Sequence, residues 1–114
     1  MGRPPRVLVE GGVYHVYNRV ARGEPVFRHE AEAGRLVLAI RQMMQQDGLS
    51  VLAWCVMSNH YHLVVRMGSV PLSRTMQAVQ QRFTRSFNGR HKVYGPFWQG
   101  RFKAKLVQDP RYVW

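Results

Sequence analysis

Three stretches of the chain alternate between apolar and polar positions with the period of a β-strand. They cover residues 13–19, 60–67 and 101–107, and such alternation places successive side chains on opposite faces of a sheet. A fourth strand is predicted over residues 49–57, because this run is almost continuously apolar and has the length of a strand. Residues 58–59 interrupt the apolar run, so the second and third strands are expected to form a hairpin.

Two further stretches carry apolar residues at helical spacing. The first helix is predicted over residues 28–47, with Gly48 as its C-terminal stop. The second is predicted to begin near Pro71 and to end at residues 88–89, an Asn-Gly pair. Near the C-terminus, residues 109–110 form an Asp-Pro pair that is typical of an N-cap and first helical position, which predicts the start of a third helix.

The predicted elements follow one another as strand, helix, strand, strand, helix, strand. This order is that of the split βαβ arrangement, an α+β, ferredoxin-like sandwich with a four-stranded antiparallel sheet. A chain of 114 residues has room for one core. We therefore predict a single domain, residues 1–114, with two helices on one face of the sheet and the start of a third helix at the C-terminus.

The same alternation predicts which strand residues share a face of the sheet. The set expected to face the helices is Tyr14, Val16, Tyr61, Leu63, Val65, Phe102, Ala104 and Leu106. The open face is then expected to carry His15, Tyr17, Arg19, His60, His62, Arg66, Arg101, Lys103 and Lys105. Histidines and cations are thus predicted to collect on one surface.

The charge balance indicates a partner for this surface. Seventeen Lys and Arg residues against six Asp and Glu residues give a net charge of +11, and such an excess repels itself unless it meets a polyanion. Nucleic acid is the favoured partner, and the alternative is a merely basic protein. A membrane partner is not expected, because the longest apolar stretches, residues 36–40 and 51–57, are far too short to span a bilayer.

A lone cysteine agrees with a reducing compartment. Cys55 has no partner for an internal disulfide, so the sequence fits a cytoplasmic protein. Both Cys55 and Trp54 lie in the apolar run of the second strand, and both are expected to be core residues.

Two histidines on one strand are candidate metal ligands. His60 and His62 are two positions apart, so their rings project to the same side and can converge on one divalent ion. Such a pair would hold Mg²⁺ or Mn²⁺ best when a phosphate supplies further oxygens. His15 is expected on the same face, either as a third ligand or phosphate contact or as a half-buried histidine without either role.

Cations and aromatic residues near the fourth strand are candidate nucleic-acid contacts. Arg101, Lys103 and Lys105 form a stripe with phosphate-like spacing, although charge on an edge strand also protects against aggregation. In the preceding loop, Trp98 is either a stacking surface for bases or a plug at the sheet edge. The full predicted DNA-binding set is Arg3, Arg6, Arg19, Arg66, Arg85, Trp98, Arg101, Lys103 and Lys105, of which the first two lie in an N-terminal arm.

The sequence has no Walker-type loop, paired catalytic carboxylates or Ser/His/Asp arrangement, which leaves tyrosine as the candidate nucleophile. Tyr14 and Tyr61 are expected in the core, Tyr94 in a loop and Tyr17 on a fixed strand. Tyr112 is the remaining candidate, on the predicted third helix.

Several short strings together resemble the IS200-like tyrosine transposase family, in particular its branch associated with repetitive extragenic palindromes. They are Gly12-Val13-Tyr14-His15-Val16, Met57-Ser58-Asn59-His60-Tyr61-His62-Leu63, Phe87-Asn88 and Gln99-Gly100-Arg101-Phe102-Lys103-Ala104. The resemblance runs over essentially the whole chain. It implies a ferredoxin-like fold and an HUH-type endonuclease and strand transferase that acts on single-stranded or hairpin DNA.

By the same resemblance, His60 and His62 would hold Mg²⁺ or Mn²⁺ and a tyrosine would form a covalent 5′-phosphotyrosine. The sequence departs from the family pattern at its C-terminus, where the family's nucleophile lies about two helical turns beyond the position that Tyr112 matches. The domain is therefore expected to lack the continuation of its C-terminal helix, and Tyr112 is the available substitute.

Two alternatives to a strand transferase stay open. One is a non-catalytic nucleic-acid-binding module that uses a ferredoxin-like sheet. The other is a truncated remnant that folds only as a homodimer, because the third helix is missing.

Overall fold

The computed structural model describes residues 8–111. It contains four strands and two long helices, with two short 3-10 turns, Ala21–Gly23 and Val26–Arg28, between the first strand and the first helix. In chain order the elements are β1 (Val13–Arg19), α1 (Glu30–Asp47), β2 (Ser50–Val56), β3 (His60–Arg66), α2 (Leu72–His91) and β4 (Lys103–Gln108).

The four strands form one antiparallel sheet in the order β2-β3-β1-β4. Tyr17 is a useful reference for the register, because it pairs with His62 on one side and with Lys103 on the other. The predicted α+β, ferredoxin-like arrangement is therefore confirmed. The register also brings the starts of β3 and β4 to the end of β1, and this corner of the sheet carries the candidate site.

The helices begin and end close to the predicted residues, with differences at the caps. α1 begins at Glu30 and ends at Asp47, and the positive φ of 73° at the C-cap Gly48 lets its N–H reach the carbonyls of Gln45 and Met44. α2 continues past the predicted Asn-Gly stop and ends at His91, with Lys92 in the left-handed conformation at φ 53°. The Asn-Gly pair therefore lies within the last turns of α2.

The helices cover one face of the sheet through a single hydrophobic core. The sheet contributes Tyr14, Val16, Tyr61, Leu63 and Val65, which are all at most 2% exposed. The opposite-facing residues of β1 and β3 are half-buried or exposed, except for the buried Val13 at the start of β1. The predicted division of the central strands into a helix-covered face and an open face is thus what the structure has.

β2 departs from the expectation of a buried strand. It is an edge strand, and Trp54 and Leu52 are 59% and 48% exposed. Cys55 is exposed too. The core assignment of Trp54 and Cys55 is therefore wrong. Cys55 pairs with His62 on the open face, Trp54 lies on an edge strand, and a register shift between Val51 and Ala53 displaces the strand locally.

β4 is the other edge strand, and it is less covered than predicted. Phe102 is buried and Ala104 half-buried, but Leu106 is 40% exposed. Beyond β4, the Asp109 carboxylate accepts a hydrogen bond from the Arg111 N–H at 2.9 Å, in a turn of the kind that precedes a helix. Tyr112 and the rest of the predicted third helix lie outside the described residues.

In the described part of the chain, neither α1 nor α2 combines the length and the apolar character that crossing a bilayer requires.

Candidate metal and nucleic-acid site

A cleft of about 530 Å³ opens where β1 ends and β3 and β4 begin. The two histidines form part of its wall, together with basic residues and the loop that precedes β4. Its lining residues are Tyr17, Asn18, Arg19, His60, His62, Gln99, Gly100, Arg101 and Lys103. Three segments that are distant in sequence therefore meet at one site.

The two candidate metal ligands are close neighbours in this wall. His60 and His62 alternate with the buried Tyr61, so both rings are on the open face of β3. Their ring centroids are 5.0 Å apart and the planes are nearly perpendicular, at 89°. Both side chains are half-buried, which limits their motion while leaving them accessible from the cleft.

The local environment favours the neutral form of His60 and of His15. Partial burial lowers the pKa of His60, and the nearby charges of His62 and Arg19 lower it further. Burial also lowers the pKa of His15, with further contributions from His62 and Lys105. A neutral imidazole has a free nitrogen lone pair, so this basic surface favours the form of histidine that can bind a metal ion.

His15 touches His62 but does not line the cleft. Its Nε2 atom is 2.9 Å from Nδ1 of His62, and the two rings stack with centroids 5.1 Å apart. Tyr17 stacks on both of them, at 4.8 Å from His15 and 5.8 Å from His62. His15 therefore lies on the predicted face, behind His62 rather than beside it in the cleft wall.

Basic side chains surround the imidazoles without acidic partners. Arg19, Arg101 and Lys103 line the cleft, which has no Asp or Glu among its lining residues. Lys105 and Arg66 extend the cationic surface along the open face. Within residues 8–111 none of these five cations forms a salt bridge, so their charge is available to an anionic ligand.

A buried amide network fixes the loop that forms one wall of the cleft. The Asn18 side chain donates to the Gly100 carbonyl and to Oε1 of Gln80, both at 2.9 Å. The same Gln80 oxygen accepts a hydrogen bond from the Tyr61 hydroxyl at 2.8 Å. These contacts join β1, β3, α2 and the pre-β4 loop, and they hold Arg101 beside the histidines. Sequence patterns alone did not reveal this network.

Trp98 belongs to the core rather than to the cleft surface. It is 8% exposed, packs against Phe27, Tyr61 and Phe97, and donates its indole N–H to the Gln80 carbonyl at 3.3 Å. Its burial fits the alternative that it plugs the sheet edge, and its remaining exposed surface lines a groove between α2 and the pre-β4 loop. In the same loop Tyr94 is 99% exposed and does offer a free ring.

The remaining predicted DNA contacts fall into two groups. Arg85 lines a second groove, between α2 and the pre-β4 loop, that shares Gly100 and Arg101 with the first cleft. Arg3 and Arg6, like the candidate nucleophile Tyr112, lie outside the described residues.

The donor set suits a divalent ion that is shared with a ligand. In residues 8–111 no group of three or more His, Cys, Asp or Glu side chains is arranged to hold a metal ion. His60 and His62 supply two imidazole nitrogen donors at an open cleft, so the other coordination positions would fall to ligand oxygens or water. Two imidazoles in a cationic cleft fit an ion that is bound together with a phosphate.

Two solved structures of transposases share the fold of this chain. One is a transposase associated with repetitive extragenic palindromes, bound to a hairpin of that DNA; it has a TM-score of 0.75 and 17% identity, and the match covers 97% of this chain. The second is a candidate transposase from Deinococcus radiodurans R1, with a TM-score of 0.70 and 19% identity, covering 94% of this chain and 87% of the other. The present chain spans 65% of the length of the hairpin-bound transposase.

At the level of sequence, no curated protein matches the chain. The family model of IS200-like transposases matches residues 9–112, which is nearly the whole sequence. The chain therefore belongs to the IS200-like transposase family.

Proposed function

We propose that this protein binds single-stranded or hairpin DNA across the cleft and takes part in DNA transposition by cutting and transferring one strand. The observation that carries the proposal is the cleft itself, in which two imidazoles lie beside Arg19, Arg101 and Lys103 without an acidic residue in the wall. Cations of this kind bind phosphates in a salt-dependent way. The transposase of the same fold that was solved with a DNA hairpin supports DNA as the ligand.

His60 and His62 are the residues that would hold Mg²⁺ or Mn²⁺. When bound, such an ion would neutralise charge on the scissile phosphate and assist the leaving oxygen. The protein's own contribution is to hold the phosphate with Arg19, Arg101 and Lys103 and to keep the pre-β4 loop in place through Asn18 and Gln80.

The proposed chemical step is an attack of a tyrosine oxygen on phosphorus. The bond between phosphorus and the 3′ oxygen breaks, that oxygen leaves as a 3′-OH after taking up a proton, and the tyrosine keeps the 5′ phosphate. No phosphate bond energy is lost, so the strand can be rejoined. Tyr112 is the candidate nucleophile, and it lies outside the described residues.

A single-stranded hairpin substrate with a dye on the DNA 3′ of the expected cut site tests this proposal. With Mn²⁺, the wild-type protein should form a labelled covalent adduct that survives denaturing electrophoresis. His60→Ala and His62→Ala should abolish the adduct, whereas His29→Ala should not, because His29 is exposed at the start of α1. Adduct formation that tolerates both cleft substitutions would contradict the proposed role of the histidine pair.

The nucleophile can be identified in the same assay. Tyr112→Phe should remove the adduct if Tyr112 attacks the phosphate. Tyr17→Phe is the matched variant, because Tyr17 also lines the cleft but is held in a stack with His15 and His62. Loss of the adduct in Tyr17→Phe but not in Tyr112→Phe would identify Tyr17 of β1 as the nucleophile.

A non-catalytic DNA-binding module is the second candidate function. It is favoured by one observation: among the described residues, Tyr17 is the tyrosine that lines the cleft, and its ring is fixed on β1. This function gives a salt-sensitive DNA complex without any covalent adduct in the assay above.

The proposal also includes a homodimer that forms through β2. This strand has a free edge and exposes Leu52 and Trp54, and an unpaired apolar edge is suited to pairing with an identical strand. Sedimentation at several protein concentrations should show association that Trp54→Lys abolishes. Unchanged association in that variant would exclude the β2 edge as the dimer interface.

We place the activity in the cytoplasm. The exposed thiol of Cys55 is compatible with a reducing compartment.

A further inference from the structure

Both histidines of the cleft have their Nδ1 atom occupied by another side chain. Nδ1 of His60 is 2.8 Å from Oδ1 of Asn59, and Nδ1 of His62 is 2.9 Å from Nε2 of His15. In each ring this leaves Nε2 as the nitrogen without a protein hydrogen bond among the described contacts. The two partners come from different elements, the β2–β3 turn and β1.

The Asn59 contact determines which nitrogen of His60 carries the proton. The Asn59 amide nitrogen donates to the Gly23 carbonyl at 3.2 Å, so the amide oxygen is the atom that faces His60. An amide oxygen only accepts hydrogen bonds, and therefore Nδ1 of His60 must be the donor. His60 is thus held with a proton on Nδ1 and a free lone pair on Nε2.

The backbone around Asn59 makes this contact rigid. The Asn59 carbonyl accepts a hydrogen bond from the Val20 N–H at 2.9 Å, and the Ser58 carbonyl accepts one from Phe27 N–H at 2.9 Å. The β2–β3 turn is therefore fastened to the segment that joins β1 to α1. This anchoring leaves little freedom for the Asn59 side chain to turn away from His60.

The His15 contact acts on the second ring in the same way. His62 lines the cleft and His15 does not, so His62 turns its Nδ1 edge towards His15. The planes of the two rings are nearly parallel, at 17° to each other, and Tyr17 stacks against both. When Nδ1 of His62 donates its proton to Nε2 of His15, the lone pair of His62 is on Nε2, as in His60.

We propose that Asn59 and His15 are positioning residues that hold His60 and His62 in the Nδ1-protonated tautomer, so that both present Nε2 to one divalent ion. This inference rests on the proposed role of the two histidines as metal ligands. His15 is then neither a third ligand nor a phosphate contact. Partners that orient metal-bound histidines in this way typically contribute about 10- to 100-fold to metal affinity.

The binding of Mn²⁺ alone, measured from the free-ion electron paramagnetic resonance signal, tests the proposal without any DNA chemistry. Asn59→Ala and His15→Phe should each weaken Mn²⁺ binding about 10- to 100-fold. Asn59→Asp keeps an oxygen acceptor for His60 and should restore at least wild-type affinity. His15→Phe preserves the aromatic stack, so its effect reports the lost hydrogen bond, and His29→Phe is the control outside the cleft.

The tautomers can be read directly by nitrogen-15 NMR of the histidine rings in metal-free protein. The wild type should show the proton on Nδ1 of both His60 and His62. Asn59→Ala should shift His60 towards the Nε2-protonated form, and His15→Phe should do so for His62. Wild-type rings that carry the proton on Nε2 would overturn the proposal whether or not Mn²⁺ binds.

The outcomes separate this inference from the function on which it rests. Normal Mn²⁺ affinity in Asn59→Ala and His15→Phe, together with lost affinity in His60→Ala, would refute the positioning role and leave the metal pair intact. Wild-type Mn²⁺ affinity in His60→Ala and His62→Ala would instead refute the metal pair and, with it, the proposed positioning role.

Discussion

Arg19, Arg101 and Lys103 are the individual residues on which DNA affinity should depend most directly. They flank the two imidazoles, they are exposed, and they form no salt bridge within residues 8–111. A cation that is not already paired keeps its full favourable interaction for a phosphate. Lys105 and Arg66 are further from the cleft wall and should contribute less.

Arg101→Ala is expected to weaken DNA binding for every sequence tested and to reduce the slope of log affinity against log salt by about one unit. Arg41→Ala is the matched control, because Arg41 is exposed on α1 and lines neither the cleft nor the second groove. Fluorescence anisotropy with a labelled hairpin at several salt concentrations measures both quantities. An equal loss in the two variants would mean that only overall charge matters.

For individual residues, the sequence predicted the face of the sheet correctly where side chains alternate along paired strands. Period-two spacing placed His15, Tyr17, His60 and His62 on one face, because strand geometry alone decides that property. The contact between Asn59 and His60 was not foreseen, since it depends on the conformation of a turn. Trp98 could not be assigned either, because a large aromatic residue in a basic loop suits packing and stacking equally.

Among the elements, α2 has the largest influence on the shape of the site. Gln80, half-buried on this helix, accepts hydrogen bonds from Asn18 of β1 and Tyr61 of β3, while its carbonyl accepts one from Trp98. Burial raises the pKa of Tyr61 far above its usual range, so the hydroxyl remains a neutral donor that needs an acceptor. A single residue therefore connects the helix to two strands through its side-chain amide and to the pre-β4 loop through its main-chain carbonyl.

Gln80→Ala is expected to lower the free energy of unfolding by about 1–3 kcal/mol, because the substitution leaves the buried Tyr61 hydroxyl without its acceptor. Gln80→Glu keeps an oxygen acceptor and should cost less. Gln77→Ala and Gln81→Ala remove exposed amides from the same helix and should change stability by no more than about 0.5 kcal/mol. Urea unfolding followed by circular dichroism makes the comparison, and similar losses at all three positions would contradict the network.

The elements themselves were predictable to different degrees. β1, β3 and β4 followed from alternation, and both helices followed from their apolar spacing. The position of β2 at the edge of the sheet did not follow from the sequence, because an apolar run of strand length looks the same in the middle of a sheet and at its edge. The exposure of its large apolar residues Leu52 and Trp54 results from the order of the strands, which is a property of the tertiary fold. The short 3-10 turns before α1 left no periodic signal to detect.

At one end of the molecule, the buried carboxylate of Glu32 links α1 to α2. Glu32, near the start of α1, pairs with Arg90 at 2.5 Å and His91 at 2.9 Å at the end of α2, and its side chain is 8% exposed. Hydrogen bonds from Arg90 lower the pKa of Glu32, and His91 lowers it further. With a net charge of +11, this carboxylate also offsets part of the repulsion among the cations.

Glu32→Gln should lower the free energy of unfolding by about 1.5–3 kcal/mol at neutral pH, which is typical of hydrogen bonds to a charged group. Because the folded-state pKa of Glu32 is below its usual value, the carboxylate's contribution is present above that usual value and is lost as the pH falls through the folded-state pKa. The difference between the wild type and Glu32→Gln should therefore shrink in acid.

Thermal unfolding between neutral pH and pH 3 measures this dependence. Glu30→Gln is the control, because Glu30 is exposed in the same helical turn. A constant difference between Glu32→Gln and wild type over the whole pH range would mean that Glu32 stabilises the fold by packing rather than by its charge.

The direction of β4 determines how long a segment after this strand must be to reach the cleft. The strand starts opposite Tyr17, level with His62, and ends opposite Val13, four residue pairs away from the cleft. At the rise of a strand, that separation is roughly 13 Å. A segment that turns back at Pro110 and Arg111 must cover it again, which takes about four residues if extended and about nine if helical. Any nucleophile that follows β4 must therefore bridge roughly 13 Å to act in this cleft.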